Sequence, residues 1–298
     1  MESGVKGRGE KIFQVIAHIV LIIVSLCAIL PFILLVVASF TDEQTLLQNG
    51  YSFFPKQWSV YAYTYLFKSN LSQILRSYGI TILVTLIGTG INLFMTSLVG
   101  YVLSRKDYNH RKVMTFYVFL TMLFNGGLVP SYIMWTQIFH LKNSFFALLI
   151  PTLLMNGFQI MLVKSNMQTT IHPALIEAAK IDGAGEWYTF FKVIMPLTTP
   201  IMATVGLMAA LGYWNDWTNG LYYISDSRLF SLQQLLNNIL SNAKALQSMG
   251  SAATVTDTLP STSIRMAMAV IGVIPILALY PFFQKYFVKG IALGAVKE

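Results

Sequence analysis

Long apolar runs separated by short polar segments organise this chain. Six stretches contain no Asp, Glu, Lys or Arg and are long enough for a membrane crossing: about 13–40, 77–104, 113–139, 143–163, 193–215 and 266–284. A hydrocarbon core about 30 Å thick needs about 20 helical residues. The runs are continuous rather than alternating, so they predict helices and not the strands of a barrel. Only His140-Leu141-Lys142 separates the third from the fourth, which predicts a tight hairpin. Within the third run, Asn125-Gly126-Gly127 and Pro130 predict a break that opens backbone groups to a pathway. A shorter pattern, LFSLQQLLNNILSNAKALQ at 229–247, carries apolar residues at helical spacing and predicts an amphipathic helix outside the membrane.

Composition agrees with this pattern. Of 298 residues, 55% are hydrophobic and only 11% charged, against about 25% charged in a soluble domain. The fold class expected is an all-α polytopic membrane protein. It has a short N-terminal tail, residues 1–12, and a single transmembrane domain over 13–298. The formal charge of +8 does not point to nucleic acid, because the basic residues lie between the apolar runs rather than on one soluble patch. The only cysteine, Cys27, sits inside the first run, which rules out an intrachain disulfide. Leu26 spoils VSLC as a lipid-attachment signal. The first apolar run, at about 28 residues, is too long for the roughly 7–15-residue core of a cleaved signal peptide.

The basic residues also set the direction. Counting alternate connecting segments, thirteen Lys and Arg fall on the side that holds both termini and the 164–192 link, and seven on the other. The positive-inside rule then puts both termini in the cytoplasm and sends two longer loops outside, about 41–76 and 216–265. Both loops are rich in aromatic residues. YSFFPKQWSVYAYTYLF and YWNDWTNGLYY read either as an interfacial belt or as surfaces that touch a ligand or an external partner.

Little in the chain suggests chemistry of its own. Its four histidines, at 18, 110, 140 and 172, are scattered and form no metal or catalytic set. GVKGRGEK at residues 4–11 has the glycine spacing of a phosphate-binding loop, but Glu10 stands where lysine is required and no Ser or Thr follows. Apart from His18, the six runs hold no ionisable group of the kind that couples ion gradients to transport. That weighs against a secondary transporter, which is the alternative reading.

One polar segment interrupts the membrane-like pattern. IHPALIEAAKIDGAGEWYTFFKVIMP, about 171–196, starts with Pro173, suited to a first helical turn, and continues through good helix formers to Ile181. Gly183 fits the left-handed position that ends a helix. A second helical stretch is expected from about Glu186 to Pro196, and Pro196 with Pro200 should bend or restart the fifth run. A helix resting on lipid headgroups is the plainer reading of such a segment.

Glu177-Ala178-Ala179, then Gly183, then Val193-Ile194-Met195-Pro196 resembles the EAA motif of ABC importer permeases. The familiar I-x-L-P ending has Val193 and Met195 at its two apolar places, both conservative. YPFFQKYFVKGIALGAVKE at the C-terminus and GYVLSRKDYNHRKV in the second link are similar to carbohydrate-uptake permeases of the maltose-permease type. MLFNGGLVPSYIM resembles a subset that handles polysaccharide fragments. The likeness covers most of the chain from about residue 70 onward.

The resemblance implies a type I ABC importer permease with six transmembrane helices in a bacterial inner membrane. It implies a second homologous permease as heterodimer partner, two cytoplasmic ATPase subunits that bind the ATP and Mg, and an extracytoplasmic solute-binding protein that delivers a sugar or oligosaccharide. No cofactor, metal or catalytic residue is expected in this chain, and no nucleic acid. Glu177, Ala178, Ala179, Gly183, Val193, Met195 and Pro196 would form the coupling segment. Rings and amides suit sugar recognition, so Asn125, Tyr132, Trp135, Tyr213, Trp214, Asn215 and Trp217 are the pathway candidates.

Overall fold

A computed structural model of the chain describes residues 8–250 and 262–278. Among the described residues the secondary structure is helical throughout, apart from an isolated antiparallel bridge between Thr41 and Trp58. The described residues divide into two compact units, one holding those up to 71 with those from 239 to 274, the other holding 72–238 with 275–278.

In the first unit the apolar run becomes helix α1, Arg8–Ser39. Asp42 then caps α2, Glu43–Asn49, accepting from the N–H groups of Gln44 and Thr45. This satisfies donors that every helix start leaves bare. Glu43 turns away from water and accepts from the N–H groups of Thr262 and Ser263 at 2.9 and 2.7 Å, and from the Ser263 hydroxyl at 2.8 Å. A buried carboxylate needs such donors. Here it also caps the helix Thr262–Ala278, which covers the described part of the sixth run; residues 279–284 of that run lie outside the described residues.

Helix α3 runs unbroken over Tyr61–Ser104. The outer loop expected over 41–76 is therefore helical from Tyr61 onward. Lys68 and Arg76 lower the hydropathy there, but lysine and arginine are good helix formers, so polarity ends the apolar run without ending the helix.

In the second unit, α4 (Arg111–Leu123) and α5 (Leu128–Ile138) are bent by 113° relative to each other. The break falls where Asn125-Gly126-Gly127 announced it. Phe124 is extended, Gly127 takes φ +85°, and the Asn125 side chain accepts from the Gly127 N–H at 2.8 Å. The last turns of α5, Met134–Ile138, widen into π geometry.

The fourth run differs from expectation. It holds the short α6 (Phe146–Leu149), an irregular stretch, and then α7 (Gly157–Thr170), capped by Asn156. Pro151 lacks an N–H and cannot continue a helix ladder. The carbonyls freed there are met by side chains from elsewhere. The Tyr213 hydroxyl donates to Leu149, the Asn219 amide to Pro151, and the Asn92 amide to both Leu153 and Leu154, all at 2.9–3.2 Å.

The remaining elements are α8 (Pro173–Ile181), α9 (Glu186–Leu197), α10 (Thr199–Trp214), α11 (Thr218–Tyr223) and α12 (Leu232–Gly250). α9 and α10 meet at an 84° bend. It falls between Pro196 and Pro200, as their spacing predicts, and the Thr198 hydroxyl donates back to the Ile194 and Met195 carbonyls. The amphipathic helix read at 229–247 appears as α12, with Leu232, Leu235 and Leu236 buried.

Two described helices are long and apolar enough to cross a membrane unbroken, Ile12–Ser39 and Leu71–Ser104, and up to four are if each bent pair counts as one span. Two apolar cores hold the second unit. One joins Tyr101 of α3, Val163 and Met167 of α7, Phe190 and Ile194 of α9, and Val205 of α10. The other gathers Val84, Leu148, Tyr213 and Tyr223.

A candidate coupling site

Helix α8 is short, yet its ends are fully specified. His172 caps the start, its ring nitrogen accepting the Ala174 N–H, and Pro173 occupies the first turn, where a missing N–H is no loss. At the other end Gly183 takes φ +77°. The Gly183 N–H donates to Lys180 and the Ala184 N–H to Ala179, at 3.0 and 2.9 Å. That pair of bonds is the Schellman motif, which turns the chain sharply into α9.

Burial divides the coupling residues into two sets. Ala179 is buried and Ile176 packs toward the Tyr101–Phe190 core. Glu177, Ala178 and Gly183 are exposed, and Ile181 is 86% exposed. On α9, Ile194 is fully buried, Val193 and Met195 lean on the same core, and Pro196 is exposed at the edge of the bend. Trp187 stacks on Phe191 at 6.0 Å, with both rings largely open. The segment is thus a two-helix knob, apolar on its inner side and partly apolar on its free side.

A charge cluster that no motif in the sequence announces fastens this knob. Arg105, just past the end of α3, grips both oxygens of Asp107; its Nε donates to Oδ1 at 2.8 Å and its second arm to Oδ2. The same guanidinium donates to the Tyr101 hydroxyl at 3.0 Å and to Glu186 in the first turn of α9. Lys180, in the last turn of α8, reaches Asp107 at 3.3 Å. The fork of Arg105 holds the Asp107 carboxyl well below the usual carboxylate range, and the Asp107 bond raises the Arg105 guanidinium in turn. A cleft of about 580 Å³ opens beside this cluster, lined in part by Lys106, Arg111, Gln168 and Glu177. The linear signal was present only as mixed charge in SRKDYNHRK and a lone acid at Glu186.

The seven pathway candidates do not converge. Tyr132, Trp135 and Tyr213 share the second core, where Tyr132 stacks on Tyr223 at 6.0 Å. Tyr213 and Trp214 are buried, the Trp214 ring lying 6.4 Å from that of Tyr78. Asn125, Asn215 and Trp217 are exposed. Among the described residues no three His, Cys, Asp or Glu side chains come together as a metal site.

The arrangement is a mechanical one, a compact knob anchored to a helical bundle. The family described as "Binding-protein-dependent transport system inner membrane component" matches residues 5–293. The chain belongs to this family. It is 35% identical over 292 residues to the polygalacturonan/rhamnogalacturonan transport system permease protein YtcP of Bacillus subtilis, covering 97% of this chain and 99% of that one. Protein LplC of the same organism is also 35% identical, covering 97% and 96%. A bacterial ABC transporter structure, involved in the import of the acidic polysaccharide alginate, matches with TM-score 0.77 and 27% identity over 96% of this chain and all of that one.

The permease is therefore an all-α subunit of an ATP-driven importer, and it is not an enzyme. ATP hydrolysis belongs to a separate subunit, and a partner permease and a binding protein complete the system in general terms.

Proposed function

We propose that this permease forms half of the translocation pathway for oligosaccharides released from polysaccharides. Residues 171–196 are where it receives the work of the ATPase. A second homologous permease supplies the other half, two ATPase copies each seat one knob, and the binding protein delivers the sugar from the opposite face. Both termini and the knob face the cytoplasm, on the strength of the excess of Lys and Arg there. The chain from residue 13 onward acts as one permease domain.

The observation that carries the coupling reading is the Schellman-terminated helix α8, with Ala179 packed inward while Glu177 and Ile181 stand free. When the ATPase dimer closes, its clefts approach each other and the knobs follow. Packed bundles switch between discrete arrangements rather than deform smoothly, so the pull becomes alternation between inward- and outward-open states. Glu177 offers a charged contact and Gly183 sets the turn. Val193, Met195 and Pro196 pass the displacement across the bend into α10. The substrate class rests on what the relatives are named for.

Of the pathway candidates Asn125, Tyr132, Trp135, Tyr213, Trp214, Asn215 and Trp217, the exposed Asn125, Asn215 and Trp217 are the first to test against sugar. The deciding experiment reconstitutes the co-purified complex with its binding protein. ATP-dependent uptake is compared for oligogalacturonides, alginate oligomers, maltooligosaccharides and monosaccharides. Uptake of oligosaccharides is expected. Transport of monosaccharides alone overturns the substrate class, and accumulation by the isolated chain on an ion gradient overturns the coupling.

A further inference from the structure

We infer that Arg105 is the positioning residue that makes the knob and the end of α3 move as one body, an inference that rests on the coupling reading above. The guanidinium touches three places at once: Tyr101 inside the last turns of α3, Asp107 in the link to α4, and Glu186 at the start of α9. Asp107 extends the hold to Lys180 at the end of α8. The two attachment points, Lys180 and Glu186, lie on either side of the turn at Gly183, so the cluster ties α8 and α9 together across it.

The two attachments are unequal. The Arg105 side chain is only 10% exposed and its partner Glu186 59%, whereas Lys180 and Asp107 are both about half exposed at 51% and 55%. Exposed pairs between flexible side chains contribute little, while the planar fork that Arg105 closes on Asp107 fixes the guanidinium from which the single bond to Glu186 is made. Below Arg105, Tyr101 packs against Phe190 at 5.4 Å within the apolar core. A pull on α9 therefore reaches α3 through a rigid polar joint above a packed apolar one. Removing the joint leaves the core, and so the fold, in place. What is lost is the fixed angle between knob and bundle.

The test uses the full complex with ATPase, partner permease and binding protein in liposomes, and reads solute transported per ATP hydrolysed. Arg105→Ala is expected to assemble and hydrolyse ATP while that ratio falls about tenfold, within the range typical of coupling between sites. Arg105→Lys keeps the charge without the fork and gives an intermediate ratio. Glu186→Gln cuts only the tie to α9 and lowers the ratio as well. Should Arg105→Ala fail to assemble, the other two variants carry the comparison. An unchanged ratio in the variants that assemble overturns the inference, as does a parallel fall of uptake and hydrolysis, the mark of a merely structural role. A wild-type complex with no co-purifying ATPase instead removes the coupling reading itself, and this inference with it.

Discussion

The ring of Tyr213 occupies the space that a side chain at Gly88 would need. A Cβ at Gly88 would stand 2.5 Å from the Tyr213 Cζ and within 2.7 Å of both neighbouring ring carbons. Tyr213 cannot swing aside, because it is fully buried and its hydroxyl donates to the Leu149 carbonyl at 2.9 Å. The contact fixes how closely α3 and α10 approach.

Gly88→Ala should therefore destabilise the permease by about 1–3 kcal/mol through overpacking. Tyr213→Phe, which leaves a buried carbonyl without its donor, should cost about 1–3 kcal/mol. Thermal unfolding in detergent measures both, and a Gly88→Ala protein as stable as wild type contradicts the packing described.

At Gly183 the constraint is conformational and not spatial. Nothing lies within 4 Å of a Cβ placed there, but φ is +77°. Gly183→Val should cost about 1–2 kcal/mol and tilt the knob, whereas Gly183→Asn, a residue that tolerates this region, should stay near wild type. ATP-driven uptake by reconstituted complexes is the measurement. Equal uptake by the two variants means the turn geometry does not matter to coupling.

Glu177→Lys should leave folding intact, since the side chain is exposed, and should separate ATP hydrolysis from transport. Uptake at the wild-type ratio per ATP removes Glu177 from the contact with the ATPase.

Acid should erode the stability that the Arg105 joint contributes. Asp107 titrates lower in the folded chain than in the unfolded one, chiefly because of its bond to Arg105. The unfolded chain thus binds more protons once pH drops toward about 3.9, the ordinary aspartate value. The stability Asp107 contributes is complete above that pH and is lost as pH falls below it toward the depressed folded value. Melting temperature followed from pH 7 to 3 should fall more steeply for wild type than for Asp107→Asn. Parallel curves exclude this origin of acid sensitivity.

For α12 the expectation is a docking role toward the binding protein. Its base is anchored, with Leu232, Leu235 and Leu236 buried and the Leu232 N–H donating to the Thr81 hydroxyl at 2.7 Å, while Ser241 and Asn242 are exposed. Deleting 235–255, whose residues 251–255 lie outside the described structure, would strip part of that base. Deleting only 241–250 should impair binding-protein-dependent uptake and spare membrane insertion. Undiminished uptake argues against a docking role for the tip.

What the linear pattern made legible was whatever local chemistry decides. Pro173, Gly183 and Pro196 mark helix starts, stops and bends through backbone geometry alone, and all three act where their spacing indicated. Asn125-Gly126-Gly127 likewise announced the broken third run. Hydropathy misled at two places for the same reason: it reports apolarity, not helicity. The helix from Tyr61 runs on through Lys68 and Arg76, and the apolar stretch 143–163 fails to form one helix because Pro151 and Asn156 override its composition. The Arg105 cluster was beyond reach, since its partner Glu186 lies 81 residues away and pairing at that distance leaves no periodic trace.

The irregular stretch between Leu149 and Asn156 has a consequence for what this permease can tolerate. In hydrocarbon, an interrupted helix is ruinous unless every bare carbonyl finds a donor. Two asparagine amides and one phenol, from two distant parts of the chain, supply donors to four of its carbonyls. The interruption is therefore licensed from outside itself: replace Asn92 by leucine, and a stretch whose own residues are untouched would no longer have a dry place to exist.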